Sequence, residues 1–146
     1  MAGDSAATLA ALAAAGIGTL KLPYTQALEA QLSAGTNVVI LAGIPGKTII
    51  PWYFGNFYTT TVAGSGTSPS DWTLQYTNGT SLFILGGRTT TQAPGTYGMT
   101  TYSTNRAFNP HVGTGLGIQI RGQAGPGVGA LMRTGTFYID YFVVPG

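Results

Sequence analysis

The spacing of apolar positions changes character near residue 36. Upstream it is helical. Leu28 and Leu32 stand four apart among Ala27, Glu29, Ala30 and Gln31, all good helix formers. Thr25 can cap the start, and Gly35 can supply the left-handed residue beyond the end. This predicts a short helix over 25–33. Residues 1–22 are Ala-rich and mildly apolar. They lack a basic leader, with Asp4 where positive charge would sit, and Gly16 and Gly18 interrupt a stretch too short for a span of about 20 residues. The expectation is a retained N-terminal arm, partly helical, ending with the short helix at residue 36.

Downstream the pattern is that of strands. Val38, Val39, Ile40 and Leu41 form an apolar run closed by the turn pair Pro45-Gly46. Residues 48–58 are dense in aromatic and β-branched side chains, which predicts a strand. Pro51 within it cannot donate to a ladder, so it marks an edge or a bulge. Trp72, Leu74 and Tyr76 alternate with Thr73, Gln75 and Thr77 before Asn78-Gly79, and a second apolar run follows over 80–85. Asn-Gly favours a two-residue hairpin turn with positive φ at both positions. Residues 86–114 are rich in Gly, Thr, Tyr, Pro and Asn; they hold either a strand near 96–101 or an exposed functional loop. Leu116, Ile118 and Ile120 alternate with Gly117, Gln119 and Arg121, and 128–132 allows another short strand. The closing run, 136–144, is apolar on both faces except at Asp140, as suits the centre of a sheet or an interface. Seven to nine short strands separated by turns predict an all-β antiparallel β-sandwich or jelly roll over 37–146, preceded by the arm and helix of 1–36.

Composition narrows the chemistry. Charged residues make up 7% of the chain, against about 25% in ordinary domains. Six Lys/Arg, four Asp/Glu, one His and no Cys leave little for acid–base, nucleophilic or metal chemistry. The basic residues form no run, so the footprint of a nucleic-acid binder is missing. No cofactor and no metal are expected. With so little charge, polar side chains must keep the surface soluble, or partner subunits cover much of it.

The candidate chemistry is correspondingly thin. His111 stands alone beside Pro110 in a loop. Asp71 reads as a cap for the turn before Trp72. Asp140 lies in an apolar strand, where a carboxylate costs free energy unless paired. The partners expected for it are Arg121, Arg133 or a group on another subunit. Residues 125–130 fit a Gly-x-Gly-x-x-Ala nucleotide pattern, but no helical pattern follows. Asn78-Gly79-Thr80 fits a glycosylation acceptor, although the turn already accounts for it. Trp52, Tyr53, Phe54, Phe57 and Tyr58 suit a core, a subunit interface or a sugar-stacking platform.

Three stretches resemble jelly-roll proteins from the virions of tailed bacteriophages. The first is Gly43-Ile44-Pro45-Gly46-Lys47-Thr48-Ile49-Ile50-Pro51, the second is 72–85 with its tyrosine before Asn-Gly, and the third is the closing strand over 135–144. Together they span residues 36–146. The resemblance implies a tumour-necrosis-factor-like jelly roll that forms a homotrimer. It also implies a non-enzymatic capsid cement or decoration protein, made in the host cytoplasm and placed on the capsid surface. Its partners would be itself and the major capsid protein, with no nucleic acid and no membrane. Trp52, Phe54, Phe57, Tyr138, Asp140 and Phe142 would form the subunit interface. Leu9, Leu12, Ile17, Leu20, Leu28 and Leu32 would dock the arm on the capsid. The alternative is a receptor- or glycan-binding tail tip using Tyr97, Tyr102 and His111. A small hydrolase built on Asp71, Asp140 or His111 is the third expectation.

Overall fold

The computed structural model describes residues 16–63, 69–89, 93–102, 113–122 and 132–146. The elements run β1 (Ile17–Tyr24), α1 (Gln26–Ser33), β2 (Val38–Leu41), β3 (Lys47–Val62), β4 (Pro69–Tyr76), β5 (Ser81–Thr89), β6 (Gly95–Tyr102), β7 (Ile118–Arg121) and β8 (Met132–Pro145). The strands form two four-stranded sheets, ordered β1-β8-β3-β6 and β2-β7-β4-β5. Every ladder is antiparallel. First pairs with eighth, second with seventh, third with sixth and fourth with fifth. This folding of one long hairpin back across two layers is the jelly-roll arrangement. The all-β sandwich expected from the sequence is the fold of the chain.

The N-terminal region departs from expectation. Residues 17–24 are not helical; they form β1, an edge strand paired along its length with β8. Leu20, Leu22 and Tyr24 point to the core, while Ile17, Thr19, Lys21 and Pro23 point outward. Pro23 lacks an N–H, which an edge strand tolerates. The helix forms where expected. Thr25 caps it by accepting a hydrogen bond from the Leu28 amide at 3.2 Å. At the other end Gly35 takes φ +85°. The Thr36 amide donates to the Gln31 carbonyl and the Gly35 amide to the Leu32 carbonyl, closing a Schellman-type cap. Leu28 and Leu32 face the core, and the Arg133 amide donates to Gln26 Oε1 at 3.0 Å, tying α1 to β8. Strand β1 and the helix therefore belong to the sandwich rather than to a detached arm.

Between the sheets lies an aromatic centre. Trp72, Phe54, Phe137, Tyr58 and Tyr24 are buried. Tyr24 meets Trp72 edge-on at 5.7 Å, and Tyr58 meets Trp72 at 5.1 Å. Phe54 stacks on Phe137 at 5.8 Å. Such edge and offset geometries add to the area each ring buries.

One detail differs from the local reading, and one open alternative is decided. The Gly79 amide donates to the Tyr76 carbonyl, and the Tyr76 amide donates to the Thr80 carbonyl. The hairpin loop therefore has three residues, 77–79, with Gly79 at φ +92° forming the bulge residue. Residues 95–102 pair with β3 and so are a strand rather than an exposed loop.

Candidate functional site

The two outer faces of the sandwich differ in kind. On the β2-β7-β4-β5 sheet, the middle of the outer face is polar: Thr73, Gln75 and Gln119 occupy it, with exposed Val39 and Ile84 towards the edges. On the β1-β8-β3-β6 sheet, the outer face carries rings. The register places Phe142 between Ile17 and Ile50, Asp140 between Thr19 and Tyr53, Tyr138 between Lys21 and Gly55, and Thr136 between Pro23 and Phe57.

A bulge sets this arrangement. Pro51 pairs with Tyr141 and Tyr53 with Asp140, so Trp52 is the extra residue of β3. Inserting one residue swaps the faces on either side of it. Trp52 consequently lies outward and Phe54 inward, although they stand two apart. Trp52 stacks on Phe142 with centroids 6.2 Å apart. Phe57 meets Tyr138 edge-on at 5.7 Å. Trp52 is 37% exposed, Phe142 44%, Phe57 46% and Ile17 62%. These large, part-exposed apolar groups are gathered on one face rather than scattered over the surface.

Among these rings is a hollow of about 630 Å³ lined by Thr19, Tyr53, Phe57, Tyr138 and Asp140. Glycine keeps it open. A Cβ on Gly55 would stand 2.6 Å from the Tyr53 hydroxyl, and one on Gly98 would stand 2.8 Å from the Phe57 ring. The Thr19 hydroxyl donates to Asp140 Oδ1 at 2.7 Å. Lys21 Nζ lies 5.9 Å from the centre of the Tyr138 ring, within cation–π range.

Of the six residues expected at a subunit interface, Trp52, Phe57, Tyr138, Asp140 and Phe142 lie together on this face, and Phe54 is a core residue. Of those expected to dock an arm, Leu20, Leu28 and Leu32 are also core, so none is available for docking. Ile17 joins the aromatic face, while Leu9 and Leu12 lie outside the described residues. Asp140 meets Thr19 rather than an arginine. Arg133 is fully buried on the inner side, where its Nε donates to Thr60 Oγ1 at 3.1 Å and its guanidinium lies 5.3 Å from the Tyr58 ring centre. Arg121 belongs to the other sheet. Tyr97 is half-buried, stacked on Tyr58, with its hydroxyl donating to the Ala93 carbonyl.

Asp71 sits on β4, in the sheet opposite Asp140. Its side chain, that of Tyr102, His111 and the 125–130 motif lie outside the described residues. Sequence reasoning missed Thr19 and Lys21. Their signal was the alternation of Leu20, Leu22 and Tyr24 against Thr19, Lys21 and Pro23.

Among the described residues no three His, Cys, Asp or Glu gather as metal ligands, and no helix is long and apolar enough to cross a membrane. No known protein family, curated protein or solved structure matches this chain.

Proposed function

We propose that this chain is a non-enzymatic structural protein that forms a homotrimer through the outer face of the β1-β8-β3-β6 sheet. We assign it to the capsid cement or decoration class on its resemblance to bacteriophage virion jelly rolls. The observation that carries the self-association reading is the grouping of Trp52, Phe57, Tyr138 and Phe142 on one outer face, in a chain with 7% charged residues. Covering such a face with a second copy removes rings from water at about 25 cal/mol per Å². A trimer seated across neighbouring capsid subunits would raise the cost of separating them by binding only the assembled state.

Light scattering behind gel filtration tests the oligomer: a mass three times the 15.0 kDa chain supports the reading, and a monomer at every concentration overturns it. Binding to purified capsids with and without residues 2–15 tests the capsid assignment. The deletion must stop there, because one that reached Leu32 would remove β1 and the helix.

A second reading has an observation of its own. Rings flanking a hollow with a carboxylate and a hydroxyl, as at Tyr53, Phe57, Tyr138, Asp140 and Thr19, suit a sugar. Quenching of Trp52 fluorescence by a monosaccharide would favour that glycan-binding role, and a glycan array without a specific ligand would dismiss it.

A further inference from the structure

We infer that Lys21 of one copy pairs with Asp140 of the next across the subunit contact; this rests on the self-association reading above. A carboxylate taken from water needs a cation or a full set of donors. Asp140 stands in the middle of the aromatic face, on β8, between β1 and β3. Thr19 supplies one hydrogen bond, to Oδ1. Among the described residues no cation lies within ion-pair reach of it. Within one copy Lys21 is the diagonal neighbour of Asp140 across β1 and β8, and it rests on the Tyr138 ring. A second copy covering Trp52, Phe57 and Phe142 would also cover Asp140, and a positive group on that copy would meet the carboxylate.

Lys21 has the right position to be that group. Among the described residues it is the cation that lies over this face, against Tyr138, and it sits on the edge strand β1. Cyclic trimers join through heterologous contacts, in which one patch meets a different patch on the neighbour. An edge that carries a positive charge meeting a centre that carries a negative one satisfies that rule. The flexible Lys stem can leave the Tyr138 ring and extend into the neighbour's hollow.

Sedimentation velocity over a dilution series tests this, with far-UV circular dichroism as the check on folding. Wild type is expected as a trimer. Lys21→Glu and Asp140→Lys should each raise the concentration at which the trimer dissociates by about thirty-fold or more. The double reversal should return it towards wild type. Lys47→Glu, at the exposed start of β3, should leave it unchanged. If a reversal variant loses its native spectrum, Lys21→Gln and Asp140→Asn take its place, with the same weakening expected. A wild-type trimer whose single variants dissociate like wild type, or whose double reversal is no better than the singles, overturns the cross-subunit pair and leaves self-association standing. A wild-type monomer throughout overturns both.

Discussion

Phe54 and Phe142 are the sharpest pair with which to separate core from surface. Both are phenylalanines of the same sheet, yet the bulge at Trp52 puts Phe54 inside and Phe142 belongs to the outer face. Phe54 is 0% exposed and stacked on Phe137. Replacing it with alanine should cost about 3–5 kcal/mol, from lost burial and the cavity left behind. Phe142 is 44% exposed and stacked on Trp52. About half of its possible burial is present in one copy, so Phe142→Ala should cost the isolated subunit about 1 kcal/mol. In a chain of this size each kcal/mol moves Tm by about 3 °C. Scanning calorimetry at high dilution should therefore show Phe54→Ala about 10 °C below wild type and Phe142→Ala about 3 °C below. Raising the protein concentration separates them further. On the proposed self-association, mass action stabilises the assembled wild type, so the Phe142→Ala deficit should widen with concentration while the Phe54→Ala deficit keeps its size. Equal losses for the two variants in dilute solution would refute the placement of Phe54 in the core. A Phe142→Ala deficit that ignores concentration would refute the interface role of this face.

Two further expectations concern the scaffold. Burial raises the pKa of Tyr76 and of Tyr141 above the ordinary value of 10.0. Above that value the unfolded chain loses these protons before the folded one does, so their contribution to stability is full below about pH 10 and is lost as pH rises through the folded value. Urea unfolding at stepped alkaline pH should show this fall, and Tyr76→Phe should flatten it; an unchanged slope would contradict the burial. At neutral pH that substitution should cost about 1 kcal/mol, because the Tyr76 hydroxyl donates to the Ile49 carbonyl at 2.8 Å. Thr25→Ala removes the acceptor for the Leu28 amide and should cost about 1 kcal/mol in the same assay. Thr25→Ser, which keeps an acceptor, should recover most of it.

Strand positions were legible wherever alternation was sharp. Trp72, Leu74 and Tyr76 are buried as their spacing implies, and the apolar closing run does lie at the centre of a sheet. The helix was legible from both ends, because Thr25 and Gly35 each solve a definite backbone problem at their positions. Strand β1 was obscured by its neighbours. The Ala-rich stretch before it has strong helix propensity, and Gly18 and Pro23 weaken the strand signal inside it. What makes 17–24 a strand is tertiary: eight residues of β8 with an unpaired edge to satisfy. The hairpin loop length escaped for a related reason. Asn-Gly suits both a two-residue turn and the last two places of a three-residue loop, and the strand register decides between them.

The aromatic face shows how one residue governs what a sequence can reveal about a site. Counting by twos along β3 places Trp52 and Phe54 side by side, and that count groups both with the interface. Pro51 carried the warning. It cannot donate to a ladder, so it marked an irregularity in β3; the ladder with β8 runs through it, and the ladder with β6 is formed from Tyr53 onward. The bulge absorbs it at Trp52 and reverses the faces beyond. Tyr53 and Phe57 then share the outer face with Asp140 and Tyr138, and the glycines at 55 and 98 leave room for their rings. β8 supplies half of the aromatic face in Tyr138, Asp140 and Phe142. The other half depended on a shift of register, which pairing with β8 makes visible and the linear pattern of β3 does not. Deleting Trp52 would make Pro51 and Tyr53 consecutive partners of Tyr141 and Asp140, so Tyr53 and Phe57 would keep the outer face and Phe54 the core. The fold should therefore tolerate the deletion, with Phe54 still stacked on Phe137, while the outer face loses the ring that stacks on Phe142.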